Sequence, residues 1–434
     1  MTKINPSEDK TNHLPYLKYE ENLLHINNRS ILNIIKEVPT PFFIFLPKRF
    51  EHNYNHLKSA FDKYIPSTRI AYAIKANYLG RILQHANGLE MTTEAMSLFE
   101  LLLAERAGFS FDRVIFNGPA KTQKELEFSM DKGIQYLNIE SMNELRDIEN
   151  IAEKKGIVQD ITIRIHPRLS EETEKKLLIK KNSKLGIDYD RAMKLYKYAK
   201  NSSNLKPKGV HVHVGTNIVS HDFYDELLEF LNDYIKDLSK KHEIEIEQLN
   251  LGGGMASKSK LDENGFNLER YAEQISVGID NIENITVLLE PGRYLIEDSF
   301  IAVAKVLRTK SSWGRKWAFT DIGANTLIPM RYSNYEAIPL EYKGEGPYCR
   351  IGGPLCLPVD VISNESVSYN IEEEDRLAIL NCGAYTLSMS EQFGYPRPAV
   401  YELKNENELR MIKDADNIQD MVEEAFNFKT ESLL

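Results

Sequence analysis

Short apolar runs alternate with polar, periodic stretches through the middle of this 434-residue chain. Read as strands, the runs begin at Pro41, Arg69, Arg113, Gly133, Ile161, Gly209, Gln248 and Ile285. The stretches beside them have helical length. Eight strands in strict alternation with helices over about 250 residues predict a (β/α)8 TIM barrel. In such a barrel the active site lies at the carboxyl ends of the strands.

The pattern changes near residue 300. From Ile301 onward the runs are short, rich in β-branched and aromatic residues, and separated by Gly, Pro and Asn turns, which predicts a C-terminal β-sandwich or β-barrel domain. The N-terminal segment holds one strand candidate, Asn22–Ile26, and one helix candidate, Ile31–Val38, and is expected to join that domain. The predicted organisation is an N-terminal segment (1–40), a barrel (41–300) and a β domain (301–434).

Charge and cysteine content narrow the classes of function. The formal net charge of -10 disfavours nucleic acid or an anionic membrane as partner, so small molecules or other protein chains are expected. Cys349, Cys356 and Cys382 form no CxxC pair, which fits a reducing compartment and argues against zinc. The first residues lack a signal-peptide pattern and no run reaches about 18 apolar residues, so a cytoplasmic protein without a membrane segment is expected.

Lys75 stands just after the apolar run Arg69–Ala73. Burial disfavours the ammonium form of lysine, and a neutral amine can attack a carbonyl carbon to form a Schiff base. A lysine that reaches solvent from the strand end, or that forms a structural ion pair, is the alternative. Its place at the carboxyl end of a predicted barrel strand favours the catalytic interpretation.

Three consecutive glycines, Gly252, Gly253 and Gly254, directly follow the strand candidate that begins at Gln248. Because they lack Cβ atoms, the backbone N–H groups of such a turn can converge on an anion, and phosphate is the usual ligand. A tight strand-to-helix turn explains the same pattern. The turn is neither a P-loop nor a dinucleotide-binding fingerprint, because it continues into neither Gly-Lys-Ser/Thr nor GxGxxG.

Two further motifs lie at strand ends. The motif from Glu290 to Arg293 can present a carboxylate to a cationic ring nitrogen and a guanidinium to a phosphate, and a surface salt bridge on a turn explains it equally well. His211 and His213 are two residues apart on one predicted strand and therefore share a face. A structural role is the simpler explanation of either histidine, and two histidines without a third ligand do not predict a metal site.

Taken in order, these motifs resemble the fold-type III pyridoxal-phosphate decarboxylases, the group of diaminopimelate, ornithine and arginine decarboxylases that is related to alanine racemase. The resemblance covers nearly the whole chain and implies an alanine racemase-like barrel, a C-terminal β domain and pyridoxal 5'-phosphate as cofactor. Its other matches are Asn117-Gly118-Pro119-Ala120-Lys121, His213-Val214-Gly215-Thr216, Gly353-Pro354-Leu355-Cys356 with Asp360, and Cys382-Gly383-Ala384-Tyr385.

The resemblance implies a role for each motif residue. Lys75 would form the Schiff base with the cofactor, His213 would stack on its ring, and Glu290 would pair with the ring nitrogen. After carbon dioxide leaves, Cys356 would supply the proton to the α-carbon. In this family that cysteine comes from the partner subunit, so a homodimer with shared active sites is expected. The phosphate would be held by Thr216, Gly252, Gly253, Gly254, Arg293 and Tyr385.

The loop after Cys356 departs from the family pattern. Diaminopimelate and ornithine decarboxylases generally have an acidic residue directly after this cysteine to hold the distal amino group, whereas this chain has Leu357 and then Pro358. The segment Cys-Leu-Pro-Val-Asp is more similar to the branch that acts on conjugated amino acids, including citryl-diamino acid intermediates of siderophores. A conjugated distal amine is neutral and needs no carboxylate partner, so decarboxylation of such a substrate is the expected activity.

Other activities stay open. The candidate substrate-binding residues are Arg331, Tyr332 and Asp360, and Arg331 would also suit the distal carboxylate of diaminopimelate. A diaminopimelate decarboxylase, or an ornithine or lysine decarboxylase, is therefore the alternative within the family. An amino-acid racemase needs a second base opposite Lys75, and the loop of Cys356 disfavours it. A non-catalytic pyridoxal-phosphate-binding protein has no need of Cys356 or Asp360.

Overall fold

The computed structural model describes residues 16–177, 183–280, 282, 284–327, 335–363, 367–405 and 408–427. These residues form two compact units. One unit contains the described residues up to Pro47 together with those from Glu297 onward, and the other is Lys48–Ile296. The chain therefore leaves the first unit, completes the second, and returns to the first.

The described part of the chain begins with a small antiparallel sheet. Its three strands are followed by a short helix and a fourth strand. These elements are β1 (Leu17–Glu20), β2 (Leu23–Ile26), β3 (Arg29–Ser30), α1 (Ile31–Ile35) and β4 (Phe42–Phe45).

Strand β4 belongs to the larger sheet of this first unit, where it pairs with two later strands. All four of its residues are buried. A run that is apolar on both faces fits any strand covered on both sides, so composition cannot distinguish it from a barrel strand. The prediction that the run beginning at Pro41 is the first barrel strand is wrong, and residues 41–47 do not belong to the barrel unit.

The second unit is a closed barrel of eight parallel strands, which confirms the predicted TIM barrel. Every neighbouring pair in the ring is parallel, and the last strand pairs with the first. A ninth strand, β10, lies outside the ring and pairs with β9. The strands are β5 (Arg69–Ala73), β6 (Thr92–Ala95), β7 (Val114–Phe116), β8 (Tyr136–Ile139), β9 (Gln159–His166), β10 (Ile187–Asp188), β11 (Leu205–His211), β12 (Gln248–Asn250) and β13 (Thr286–Leu289).

Strand β6 replaces β4 as the eighth member of the ring. Its sequence, Thr-Thr-Glu-Ala, contains no apolar run, yet all four residues are buried between β5 and β7. A strand whose buried residues are mostly polar carries no hydrophobic pattern, so β6 could not be predicted from the sequence. The number of barrel strands is correct, but one member was misidentified.

Helices follow the barrel strands, and side-chain caps fix where several of them begin. Ser97 and Ser141 each accept a hydrogen bond from the backbone N–H three residues later, and Thr122 forms a capping box with Glu125. These caps set the turns after β6, β7 and β8. The helices are α2 (Pro47–Asp62), α3 (Gly80–Gly88), α4 (Leu98–Arg106), α5 (Gln123–Asp131), α6 (Met142–Lys155), α7 (Glu171–Leu177), α8 (Tyr189–Asn201), α9 (Tyr224–His242), α10 (Lys258–Glu263), α11 (Leu268–Gly278) and α12 (Arg293–Ile296).

The rest of the first unit is a β domain, as predicted. Its longest strand, β14, pairs with β4 and with two further strands. Phe45 and Phe300 stack in its core with ring centroids 5.2 Å apart. The elements are β14 (Phe300–Ser312), β15 (Arg315–Thr320), β16 (Glu336–Pro339), β17 (Glu345–Gly352), β18 (Val367–Tyr369), β19 (Arg376–Leu380), β20 (Ala399–Lys404), β21 (Glu408–Lys413) and α13 (Ile418–Phe426). Within the part of the chain that the structure describes, no helix combines the length and apolar character needed to cross a membrane.

Lys121 is expected to stabilise the barrel unit strongly. Its buried amine donates to the backbone oxygens of Gly118, at 2.8 Å, and Asn138, at 2.6 Å, and pairs with Glu144 at 2.6 Å. Lys121→Ala leaves the Glu144 carboxylate buried without this cation, which typically costs about 3–5 kcal/mol. Urea denaturation of the variant should show a loss of unfolding free energy of this size.

The matched control is Lys132→Ala. Lys132 also forms an ion pair, at 2.5 Å from Glu105, but both of these side chains are exposed. An exposed pair contributes about 0–1 kcal/mol, so this variant should unfold almost like the wild type. Equal losses of unfolding free energy for the two variants would show that the buried ion pair stabilises the protein no more than the exposed pair does.

Candidate active site

Lys75 lies at the carboxyl end of β5, in a short 3-10 turn formed by Ile74–Ala76. Its side chain is 32% exposed, and its amine forms an ion pair with Glu94 at the end of β6. Glu94 is completely buried. The amine therefore forms an ion pair, which the sequence left open as an alternative, and the Glu94 carboxylate stabilises its positive charge.

Glu290 follows β13 directly and is buried. Its Oε1 accepts hydrogen bonds from the side-chain amides of Asn250, at 2.8 Å, and Asn117, at 3.0 Å. The Asn117 amide also donates to Glu94 Oε1 at 2.9 Å. Burial and, to a smaller extent, the Glu94 charge raise the pKa of Glu290, Lys75 and the two amides lower it, and the net pKa is about 6. The carboxylate is held by donors at the edge where Lys75 lies.

The two histidines have different surroundings. His211, at the end of β11, is buried, and its Nδ1 lies 3.0 Å from the Asn138 amide nitrogen. Burial lowers the pKa of His211 well below its ordinary value, so the ring is neutral. His213 lies beyond the strand end and is exposed. Its Nδ1 accepts a hydrogen bond from the Gly253 N–H at 3.2 Å, which leaves the neutral ring with its proton on Nε2. An exposed ring in this orientation is available for stacking.

The glycine turn packs between the ends of β11 and β13. A Cβ atom at Gly253 would overlap the backbone oxygen of Glu290. Gly254 has a φ of +108°, and a Cβ there would overlap the backbone oxygen of Gly215. The close backbone approach therefore requires glycine. The N–H groups of Gly252 and Gly253 already donate to Asn250 Oδ1 and His213 Nδ1, so protein side chains use two of the three N–H groups predicted to bind phosphate.

Thr216 and Arg293 complete the part of the predicted site that the barrel carries. Thr216 is exposed in the turn after β11, and Arg293 is buried at the start of α12, which follows β13. Lys75, His213, the glycine turn and Glu290 therefore share the carboxyl edge of the barrel with them. The set offers an amine for an aldehyde, a carboxylate for a cationic ring nitrogen, an open imidazole face and a cation for phosphate, so it fits pyridoxal phosphate.

The other predicted site residues belong to the first unit, which contains the β domain. Cys356 is exposed on the segment after β17. Asp360 is buried, and its two carboxylate oxygens accept the backbone N–H groups of Ala324 and Leu355, each at 2.7 Å. Tyr385 has a φ of +58° in the turn after β19. A substrate-binding role for Asp360 stays a prediction, as do the roles of Cys356 and Tyr385.

Two predicted residues, Arg331 and Tyr332, lie outside the described residues. The predicted absence of a metal site is left untested, although the described residues contain no group of three or more His, Cys, Asp or Glu side chains suited to a metal.

Three residues of the site, Glu94, Asn138 and Asn250, were not identified from the sequence, and Asn117 was matched to the family without a role. Glu94 was missed together with its strand. Asn117, Asn138 and Asn250 each lie at or just after a barrel strand and donate to the buried groups described above. A polar amide at the carboxyl end of a barrel strand is the signal that could have identified them.

Comparisons with known proteins agree with this geometry. The family model described as pyridoxal-dependent decarboxylase, pyridoxal binding domain, matches residues 49–297. A diaminopimelate decarboxylase from Campylobacter jejuni is 31% identical over 89% of this chain and 96% of its own length. One from Aquifex aeolicus is 30% identical over 94% of this chain and 97% of its own length.

A solved structure gives the same result. The diaminopimelate decarboxylase from M. jannaschii, crystallised in complex with L-lysine, superposes with a TM-score of 0.88 and is 26% identical. The superposition covers 97% of this chain and 100% of that chain. The similarity therefore extends over both compact units rather than over the barrel alone.

The glycine turn should tolerate no side chain. We expect Gly253→Ala to lose pyridoxal phosphate binding, because the added Cβ displaces either the turn or the Glu290 backbone. Binding is measured by the absorbance of the protein-bound cofactor. The control is Gly88→Ala at the exposed end of α3, where a Cβ meets nothing within 4 Å. Full binding by Gly253→Ala would contradict the tight packing.

Glu290 should make the cofactor-free protein less stable as pH rises. Its pKa is about 6 when folded and 4.5 ordinarily, so the folded state binds this proton more tightly. The favourable contribution is complete below about pH 4.5 and is lost as pH rises through about 6. We expect Glu290→Gln to flatten the pH dependence of the unfolding free energy in this window, as measured by urea denaturation at several pH values. The exposed control Glu105→Gln should leave the dependence intact, and an unchanged slope in Glu290→Gln would contradict the assignment.

Proposed function

The chain belongs to the family of pyridoxal-dependent decarboxylases, and from that premise we propose that it removes the α-carboxylate of a free diamino dicarboxylic acid of the diaminopimelate type. The family makes it a pyridoxal-phosphate-dependent carboxy-lyase acting on an amino acid. The observation that carries the substrate proposal is the extent of similarity. Diaminopimelate decarboxylases match along 88–94% of this chain, including the unit that carries the Cys356 loop.

The residues at the carboxyl edge of the barrel have different roles in the proposed reaction. Pyridoxal phosphate, when bound, supplies an aldehyde for amines and a ring that accepts the electrons left behind when carbon dioxide departs. Lys75 would hold the cofactor through its amine, and Glu290 would keep a proton on the ring nitrogen. His213, whose ring is exposed at the same edge, would supply a face for stacking with the cofactor ring. Thr216 and Arg293 would hold the phosphate at the glycine turn, and a phosphate-binding role for Tyr385 rests on the family resemblance alone.

Cys356 supplies the proton that replaces the lost carboxylate. The thiol is exposed, and the buried Asp360 fixes the segment behind it by accepting two backbone N–H groups. On the family resemblance, this cysteine serves the site of a partner subunit, so the active form is a homodimer. The protein acts on free amino acids in the cytoplasm.

One observation favours a second candidate, an amino acid whose distal amine is conjugated, such as a citryl-diamino acid. Between Cys356 and Asp360 the loop offers only Leu357, Pro358 and Val359, and the Asp360 carboxylate is occupied by backbone donors. A distal ammonium finds no carboxylate on this segment, whereas a neutral amide needs none.

The deciding experiment measures carbon dioxide release by the cofactor-loaded protein. The panel contains diaminopimelate, lysine, ornithine and citryl conjugates of ornithine and lysine. We expect release from diaminopimelate, with a kcat/KM at least about tenfold above the others, and none from Lys75→Ala. Preference for a conjugate overturns the main proposal in favour of the second. A bound cofactor without any release overturns both and favours a racemase or a non-catalytic binding protein.

A substitution in the loop sharpens the distinction. Leu357→Glu places a carboxylate beside Cys356, and Val359→Glu places one on the same segment two residues farther along. If the natural substrate has a conjugated amine, Leu357→Glu should shift the preference towards free diamino acids and Val359→Glu should not. If the substrate is diaminopimelate, another group already holds its distal end, and neither substitution should raise activity.

A further inference from the structure

The amide of Asn117 lies between the two buried carboxylates of the barrel edge. Its nitrogen is 2.9 Å from Glu94 Oε1 and 3.0 and 3.1 Å from the two oxygens of Glu290. Its oxygen accepts a hydrogen bond from the Asn138 amide. Since carboxylates only accept hydrogen bonds, the amide can satisfy all these partners in one orientation only, with its nitrogen towards the acids.

The next partners along the chain of hydrogen bonds reinforce this orientation. The Asn138 nitrogen, which donates to Asn117, also lies 3.0 Å from His211 Nδ1. His211 Nδ1 must then be an acceptor, so the neutral ring carries its proton on Nε2. That nitrogen lies 3.8 Å from Glu290 Oε2. The imidazole proton therefore also faces the Glu290 side of the site.

Two buried carboxylates that share a site repel each other, and one of them normally takes up a proton. In this site, protonation of either carboxylate would remove a charge that the proposed function needs. Glu94 must be an anion to pair with the amine of Lys75, and Glu290 must be an anion to hold a proton on a ring nitrogen. A donor that contacts both carboxylates at once lowers the cost of keeping both charges.

We propose that Asn117 is a positioning residue that keeps Glu94 and Glu290 ionised side by side, so that the acid serving Lys75 and the acid serving the cofactor ring act independently. The inference rests on the roles proposed above for Lys75 and Glu290, but not on the identity of the substrate. Asn117 itself need not touch the substrate or exchange a proton.

The surrounding charges do not replace this donor. The titratable groups that face Glu290 are Glu94 from β6, Lys75 from the end of β5 and His211 from β11. Lys75 alone is cationic among them, and its amine is already paired with Glu94. Asn250 donates to Glu290 Oε1 but belongs to β12, and no hydrogen bond links it to Glu94 among the described contacts. Asn117 is thus the amide that joins the two acids.

The first test uses the cofactor-free protein. Asn117→Ala should extend the loss of stability with pH to higher values, by about one pH unit, because Glu290 loses a donor that stabilises its anion. The readout is the unfolding free energy from urea denaturation at several pH values. The matched control is Asn53→Ala, which removes another buried amide of the barrel unit, one that donates to the Leu295 backbone oxygen at 3.2 Å. It should lower stability equally at all pH values. A uniform loss in Asn117→Ala would overturn the proposal.

The second test is a double-mutant cycle with Glu94→Gln. This change removes one of the two charges, so Asn117→Ala in that background should move the pH window less than it does in the wild type, because only the direct hydrogen bond to Glu290 is then lost. A shift of equal size in the two backgrounds would overturn the proposal. The double variant also covers the case in which Asn117→Ala alone fails to fold, because relief of the repulsion should restore folding. Failure of the double variant to fold would likewise count against it.

The third test separates this inference from the proposed function. Titration with pyridoxal phosphate, followed by absorbance without substrate, should show an affinity at least about tenfold weaker in Asn117→Ala than in Asn53→Ala. Lys75→Ala should show no absorbance of covalently bound cofactor. If Lys75→Ala retains that absorbance, the proposed function fails. If it loses the absorbance and Asn117→Ala still binds like Asn53→Ala, only the role of Asn117 fails.

Discussion

Closure of the barrel between β13 and β5 is the constraint on which the site depends. The pairing places Leu289 beside Ile70, and the Ala73 N–H then meets the Pro291 oxygen at 3.4 Å. The reactive lysine and the buried acid that follow these two strands therefore lie on one edge, although the whole barrel separates them in sequence. The glycine turn fits between the residues that follow β11 and β13 because it carries no Cβ atoms.

Much of the fold and of the site could be predicted because several residues contradict their local pattern. Lys75 ends an apolar run, Gly252 opens a turn without side chains, and Glu290 follows a buried strand, so each is visible without knowledge of the fold. Strand β6 was not visible, because its buried residues are threonine, glutamate and alanine. Their burial is decided by tertiary packing and not by hydrophobicity.

The opposite error has the same origin. The aromatic run of β4 has every feature of a barrel strand, and only its pairing partners place it in the other sheet. The local sequence does not specify which distant strands form hydrogen bonds with each other. The roles of the asparagines of the site could not be predicted for a related reason, since the importance of Asn117 comes from two carboxylates that meet only in the folded barrel.

The loop around Cys356 is firmly anchored behind its exposed residues. Asp360 accepts the backbone N–H of Leu355, directly before Cys356, and that of Ala324 in a distant segment. A Cβ atom at Gly353 would overlap this carboxylate. Between these anchors Leu357 is 37% exposed and Val359 is 64% exposed. Residues that face solvent on a fixed backbone can change at little cost to folding. Evolution can therefore alter the chemistry of these positions freely while the thiol stays in place, which makes this short segment a natural point at which related enzymes diverge.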